Sequence, residues 1–485
     1  MADTASGTGT FRAALLFLFR RVVGIYFRDV EIAGNVPASE TGGRLFAANH
    51  VNALVDPILV LTQAPCPISP VAKSTLWKIP GLTWLLDAAD AVPIVRKRDD
   101  PNKSAKDNDA IFERVGSHLA AGGNILIFPE GTSHNEPHLL TLKSGAGRML
   151  ARARASASES QSDDEGNGAT RLTFQAVALE FDEREVFRSR TLILFGPVRS
   201  IDDVAHQRPD VDLAIAITEA IREDLSELLV EGSTWDERIL VVRAASMFAN
   251  GDPAAPDVAP RSRAASANAS LAEINELGRR IEEARRVLHA SAPEVVTSLE
   301  SKVGAYFTAL DDAGASDDLV VRHARRAAAA AAGEDVGAEP RVAPERIAWG
   351  ALRILTLPVA LIGMVLYWLP YQLPRAVTRR LKGDPDVSST YKLGVGLVVH
   401  PLWAAIAITV AFLTLDTPFA LLATAIALTS PFAALPWLDR WDRMAARVNL
   451  LAPREDQSDR LATLAADRAA LMQDLVTARI RAFGA

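Results

Sequence analysis

From the N-terminus to about position 250, short apolar runs alternate with longer stretches whose apolar residues recur every three or four positions. The short runs, at 44–48, 68–72, 91–95, 124–128, 172–180 and 191–198, have the length of strands. The longer stretches, such as 107–121 and 211–229, have the period of helices. Continuous apolar strands separated by helices build a parallel sheet covered on both faces. The pattern predicts an α/β domain over 29–250, with a largely parallel or mixed sheet and flanking helices. Within it, 156–170 (SASESQSDDEGNGAT) is polar, acidic and rich in Ser and Gly, and predicts a surface loop.

The pattern changes after 250. Residues 251–270 hold Pro, Ala, Ser and Gly with almost no large apolar side chain, and predict a linker. A helical region over 271–339 follows, with one apolar seam at Ile274, Leu277, Ile281, Ala284 and Leu288. Two long, nearly uncharged runs, 393–415 and 418–438, are each long enough to cross about 30 Å of hydrocarbon. A very short turn at Asp416 joins them, so a transmembrane hairpin over 393–438 is expected. Arg375, Arg379, Arg380, Lys382 and Lys392 precede it, Arg440, Arg443 and Arg447 follow it, and the turn holds no basic residue. The positive-inside rule places both flanks in the cytoplasm. The shorter apolar run 354–371, bounded by prolines, then reads as a re-entrant or interfacial segment within 340–392. The C-terminal stretch 439–485 predicts an amphipathic helix with a second seam at Leu461, Leu464, Leu471, Leu475 and Ala478. Arg468 interrupts that seam, and its stem is expected to pack while its head reaches water. The two seams can pair with each other, or the second can pack elsewhere. At the N-terminus, the apolar run 11–27 carries Arg20 and Arg21 and no cleavage site. It reads as a helix over 1–28 lying in the membrane interface, or as a buried helix.

Composition narrows the class. The 485 residues are 49% hydrophobic and 23% charged, which favours segments in contact with lipid. A net charge of -7 argues against general nucleic-acid binding. The single cysteine, Cys66, excludes an intramolecular disulfide and any cysteine-rich zinc site.

Three short segments carry candidate chemistry. In Asn49-His50-Val51-Asn52-Ala53-Leu54-Val55-Asp56-Pro57, a histidine can accept a proton near neutral pH and an aspartate can orient it. By itself this pair is close to coincidence among eight histidines. Asp56 also reads as a helix N-cap, with Pro57 at the first helical position. His50 must lie in the turn before that helix for the pair to meet. In Phe128-Pro129-Glu130-Gly131-Thr132, a strand ends in a turn whose backbone N–H groups and Thr hydroxyl suit phosphate oxygens; a plain glycine turn is the alternative. Glu130 either contacts an acceptor hydroxyl or locks the loop. Pro93 to Arg98 ends another strand in a basic cluster, with Arg96 a natural bidentate partner for phosphate.

Taken together and in this order, these segments resemble the glycerolipid acyltransferase superfamily of glycerol-3-phosphate and lysophosphatidate acyltransferases. The resemblance covers about 49–198, with Ala176-Val177-Ala178-Leu179 standing loosely for the fourth block. Two departures matter: five residues rather than four separate His50 from Asp56, and Ala178 stands where proline is expected. The longer spacing, the wording of 52–56, the Phe-Arg-Ser-Arg segment 187–190 and the C-terminal apolar helices are similar to the yeast-type branch, which acylates glycerol-3-phosphate or dihydroxyacetone phosphate. The resemblance implies that His50 is the general base and Asp56 its orienting partner. It implies that Asn49, Arg96, Glu130, Gly131 and Thr132 contact substrate. The donor would be acyl-CoA or an acyl-carrier protein, with no metal, cofactor or covalent intermediate, and the acceptor a phosphorylated glycerol. Such an enzyme would sit at a membrane, with its catalytic domain facing the cytoplasm and membrane lipids as partners. A lysophosphatidate acyltransferase is the nearest alternative. A serine hydrolase lacks its Gly-x-Ser-x-Gly elbow, a metal site on His134 and His138 is broken by Pro137, and a non-catalytic lipid-binding protein would not need the full set of residues.

Overall fold

The computed structural model describes residues 3–79, 81–95, 106–160, 172–251, 269–333, 356–381, 384–451 and 455–484. Seven strands form one sheet: β1 (Asp29–Gly34), β2 (Arg44–Ala48), β3 (Ser69–Lys73), β4 (Val92–Ile94), β5 (Ile125–Ile127), β6 (Thr173–Phe181) and β7 (Arg190–Ser200). Their order is β1-β7-β6-β2-β5-β3-β4. Every pairing is parallel except β6 with β7, so the sheet is mixed. The central strands are apolar on both faces because helices cover both. The six strands expected from sequence are present within one or two residues of their predicted ends. The additional strand, β1, reads DVEIAG and stays half exposed at the sheet edge, where two charged side chains cost little and hide it from a hydrophobic scan.

Helix α1 (Asp3–Tyr26) precedes the sheet, and α2 (Val55–Gln63), α3 (Thr83–Ala88), α4 (Lys106–Ala120), α5 (Gly145–Ser160), α6 (Ile201–Gln207) and α7 (Leu213–Leu228) lie between or after its strands. Their core joins Leu45, Val115, Met149, Phe174 and Ile221. The expected 156–170 loop begins later than predicted, because α5 runs through Ser160; 161–170 lies outside the described residues. Helix α1 buries Leu15, Val23 and Tyr26 and turns Phe11, Phe17 and Leu18 outward. Arg20 Nε donates to Thr62 O at the C-terminal end of α2 (2.8 Å), so this head caps exposed helix carbonyls.

The chain divides into two compact units, one of Met1–Trp235 with Asp384–Ser389, the other of Asp236–Gly383 with Thr390–Ala485. Helix α8 (Trp235–Asn250), which the sequence pattern placed in the α/β domain, therefore belongs almost wholly to the second unit. The reason is its apolar face: Ala244 and Met247 join a core with α9 (Leu271–Ser291), α10 (Pro293–Asp312), α11 (Asp317–Ala331) and α16 (Glu455–Phe483). The expected linker falls at 252–268, outside the described residues.

The two apolar seams meet in this core, Ile281 of α9 with Leu464, Leu471 and Leu475 of α16. The expectation for Arg468 is corrected. Its head does not reach water: the residue is 1% exposed, and its Nε donates to Asp317 Oδ1 (2.7 Å). Arg468 Nη2 donates to Met247 O (2.6 Å). Tyr306 Oη and Asn250 Nδ2 donate to the two oxygens of the same carboxylate (2.7 and 2.8 Å). A buried arginine needs a counter-charge and acceptors, and Asp317, in the first turn of α11, supplies the charge. Burial, with the Asp317 charge beside it, holds the Tyr306 phenol well above its ordinary range.

The second unit also holds α12 (Thr356–Leu366), α13 (Trp368–Leu381), most of α14 (Pro385–Thr414) and α15 (Thr417–Leu451). Residues Pro385–Thr414 and Thr417–Asp439 are long and apolar enough to cross a membrane, with outward-facing Val398, Leu413, Phe419 and Phe432. Helix α14 starts eight residues before the predicted span, at Pro385 with Asp386 in its first turn, and α15 continues past 438. Helices α12 and α13 are bent by 42° against each other, a geometry shared by broken spans and re-entrant loops. Arg375, Arg379 and Arg380 lie on α13. Tyr367 Oη donates to Ala427 O (2.8 Å), and Gly363 lies so close to Ser430 O that a Cβ would overlap it.

Candidate active site

Parallel sheets gather their functional loops at the C-terminal ends of the strands. Here β2, β5, β3 and β4 lie side by side, and the segments after β2 and β5 hold the first and third sequence motifs. The chain leaves β2 through Asn49, which is buried. Asn49 Nδ2 donates to Leu179 O (3.1 Å) and Leu179 N donates to Asn49 Oδ1 (2.7 Å). Both ends of the amide are thus spent on pinning the β2 exit to β6. Asn49, expected at the substrate, here holds the strand exit in position.

His50 follows in a turn, as the pairing required, and its Nδ1 lies 2.9 Å from Asp56 Oδ2. The same carboxylate oxygen accepts the backbone N–H groups of Val51 (2.8 Å) and Asn52 (2.7 Å). Asp56 is therefore not the expected N-cap. Leu54 occupies that place without a side-chain cap bond, and Asp56 sits one residue inside α2, aimed back at the turn. The five intervening residues have a physical use: they close a turn whose N–H groups and imidazole converge on one carboxylate. Asp56 is fully buried, and these three donors converge on its Oδ2. The His50 ring stacks on Phe128, with centroids 4.1 Å apart and planes 21° apart. With Nδ1–H committed to the carboxylate, Nε2 carries the lone pair, and it has no partner among the described residues. Such a nitrogen can take a proton from a hydroxyl.

Glu130 resolves the two sequence readings in favour of the lock. It is buried; Oε1 accepts the N–H of His50 (2.7 Å) and Oε2 accepts that of Leu140 (2.9 Å) and bonds His134 Nε2. One carboxylate thus ties together the loops after β2 and β5. His134 N in turn donates to His50 O (3.2 Å), and His134 Nδ1 accepts Glu136 N–H (3.1 Å). Both ring nitrogens of His134 are engaged by protein groups, which leaves the metal reading no ligand there. Gly131 has φ +74°, which favours glycine, and its N–H donates to Phe128 O (3.0 Å). That N–H is spent inside the turn. Thr132 Oγ1 donates to Ser133 O (3.2 Å). Arg96 lies outside the described residues. Replacing Gly131 with alanine is expected to destabilise the protein by about 1–2 kcal/mol, because a Cβ strains the left-handed backbone. Thermal melts of the two proteins check this, and an unchanged melt would mean the turn relaxes freely.

Three further residues shape the site and escaped the sequence reading. Lys143 is exposed, and its Cγ lies 3.4 Å from where a Cβ on Gly131 would stand. Its N–H donates to Pro129 O (2.7 Å), just before the start of α5. Arg184 Nη1 donates to Val51 O (2.8 Å), its Nη2 reaches Asn135 Oδ1, and Trp235 Nε1 donates to Asn135 O (2.7 Å). Arg188, in the segment 187–190, donates to Gly24, Ile25 and Phe27 carbonyls at the end of α1. Arg184 and Arg188 find their partners from 49 to 164 residues away, so no local pattern marks them. Cys66 is buried and burial pushes its thiol up, so it offers no thiolate nucleophile.

A half-buried His50 and a buried Asp56 thus pair at the C-terminal edge of a mostly parallel sheet, tied by Glu130 to the next loop. Residues 29–161 match the family described as Acyltransferase. The matched segment lies within the α/β unit and supports the resemblance to the glycerolipid acyltransferase superfamily. The chain is 32% identical over 125 residues to a lyso-ornithine lipid O-acyltransferase of Pseudomonas aeruginosa, covering 26% of this chain and 42% of that protein. It is 34% identical over 139 residues to lysophosphatidylcholine acyltransferase 2B of Mus musculus, covering 28% and 25%. It is 31% identical over 96 residues to glycerol-3-phosphate O-acyltransferase 2 of Saccharomyces cerevisiae, covering 20% and 12%. The chain thus spans less than half the length of each of these relatives. A crystal structure of a 1-acyl-sn-glycerophosphate acyltransferase from Thermotoga maritima aligns with a TM-score of 0.31 and 16% identity, over 46% of this chain and 80% of that one.

Proposed function

We propose that this protein is a membrane-bound enzyme that moves a fatty acyl group from an acyl thioester to a hydroxyl of glycerol-3-phosphate or dihydroxyacetone phosphate. The observation that carries the reading is the His50–Asp56 pair, 2.9 Å apart, with Nε2 left open beside the Glu130 turn. His50 Nε2 takes the proton of the acceptor hydroxyl as its oxygen attacks the thioester carbonyl carbon. Asp56 stabilises the imidazolium that forms. The carbon–sulfur bond then breaks, and the leaving thiolate takes the proton from His50. Lys143, with Arg96 from the basic cluster, is the cation set for the acceptor phosphate. The two apolar helices fit a substrate and product that are amphiphiles, and the arginines flanking them favour a catalytic unit on the cytoplasmic side.

Membranes containing the protein, given acyl-CoA or acyl-carrier protein and each acceptor in turn, test the reading. Glycerol-3-phosphate or dihydroxyacetone phosphate is expected to be acylated at least about 10-fold faster than lysophosphatidate. Preference for lysophosphatidate would move the protein to the second acylation step, and acylation of none of the three would defeat the proposal. Lys143→Ala is expected to raise the acceptor KM about 10- to 100-fold with little change in kcat, the size of one lost charge-assisted hydrogen bond. An unchanged KM would remove Lys143 from the site.

A further inference from the structure

The helical unit contains an apolar cavity of about 310 Å3 that its seams do not fill. Its walls include Phe248 of α8, Ile281 and Leu288 of α9, Val303 of α10, and Leu475 and Phe483 of α16. It is partly open to the surface, and close-packed bundles normally fill such spaces with side chains. This one holds about ten waters' volume but offers water almost no polar partner along those walls. The lining on α9 runs from Leu277 to Leu288, about 16 Å at the helical rise. That length suits one extended aliphatic chain.

The charged residues of the lining indicate the other end of the occupant. Arg285 is already neutralised by Glu237 (3.0 Å) and Glu300 (2.8 Å), and Arg280 by Glu276 (2.7 Å). The lining carboxylates are Glu300, engaged by Arg285, and the exposed Glu283, while Arg479 is exposed and has no ion-pair partner among the described residues. We infer that this cavity is a second lipid site, separate from the acyl-transfer site, which takes the chain of a single-chain amphiphile and holds its anionic head at Arg479. A free fatty acid, an acyl thioester and a lysophosphatidate share this chemistry. The site lies wholly within the helical unit and does not depend on the reaction proposed for the other.

The test uses the full-length protein in nanodiscs of phosphatidylcholine, with a photoactivatable diazirine analogue of palmitate as probe. Mass spectrometry of the cross-linked peptides is expected to find label in 277–303 and 475–483. Excess palmitate, palmitoyl-CoA or lysophosphatidate should reduce it at least about 10-fold, and the most effective of the three identifies the source. Label confined to the apolar surfaces of α14 and α15, or label that none of the three competes away, would overturn the inference. Ala284→Phe fills the cavity and should cut the labelling by a similar factor while the helical circular dichroism persists; undiminished labelling of that folded variant would overturn it too. Should Ala284→Phe fail to fold, Arg479→Glu at the exposed mouth decides. It should weaken labelling by the palmitate analogue at least about 5-fold and leave a hexadecanol analogue unaffected, and equal loss or no loss for both would overturn the assignment. Labelling that persists in a protein inactive on every acceptor would leave this site standing and remove only the catalytic reading.

Discussion

Replacing His50 with alanine is expected to reduce acyl transfer about 10^3-fold while leaving the fold intact. The middle of the usual range for a general base sets the size of the loss. The fold should survive because His50's backbone bonds remain, although Asp56 loses one of its three donors and Phe128 its stacking partner. His50 N–H donates to Glu130 and His50 O accepts from His134, and alanine keeps both. Asp56→Asn should behave differently. It loses the charge that stabilises the imidazolium, and it also turns one N–H acceptor of the 51–52 turn into an amide that must choose its orientation. Asp56→Asn disturbs all three bonds to the carboxylate and His50→Ala only one, so the melting temperature should fall further in Asp56→Asn. Acylation by the folded His50→Ala protein at more than about a tenth of the wild-type rate would sink the base assignment.

Arg468→Met should cost the helical unit about 3–5 kcal/mol, the penalty for leaving a buried carboxylate without its counter-charge. Asp317 would retain Tyr306 and Asn250 as donors but no cation. A unit of this size should then melt roughly 10 °C lower. The double variant Arg468→Met, Asp317→Leu removes both charges and should recover at least half of the loss. Equal melting of the single variant and the wild type would show that the ion pair carries no stability. A double variant no better than the single would place the cost in lost packing of the arginine stem.

Which parts of this molecule could be read from sequence follows from how local their causes are. Strands β2, β5 and β6 are continuous apolar runs, and helices α4 and α7 have plain periodicity, so each announces itself. Strand β1 needs only β7 beside it and keeps its charges, so no local pattern marks it. The motifs carrying His50, Asp56 and Glu130 were legible, and so was the need for His50 to precede the helix. The division of labour among them was not. Asn49 and Glu130 are the residue types that bind substrate, yet here their polar atoms are consumed by Leu179, by the N–H groups of His50 and Leu140, and by His134. Those partners lie as far as 130 residues away, and only the folded sheet brings them together. Arg468 makes the same point: its place in an apolar seam was visible, but its partner on α11 was not.

The bundle of the second unit is stitched from distant parts of the chain. Helices α8 to α11 end at Ala331, and α16, which supplies Arg468 to Asp317, begins at Glu455, about 120 residues later. At roughly 5–20 residues per second, a ribosome needs on the order of 10 seconds to cover that distance. For that interval Asp317 waits without its arginine, and the apolar face meant for α16 stays open while the two long apolar helices are being made. Completion of this bundle therefore reports that the membrane-crossing candidates have already been synthesised, and a chain that stalls among them would present an unfinished hydrophobic surface to the cell's quality-control machinery.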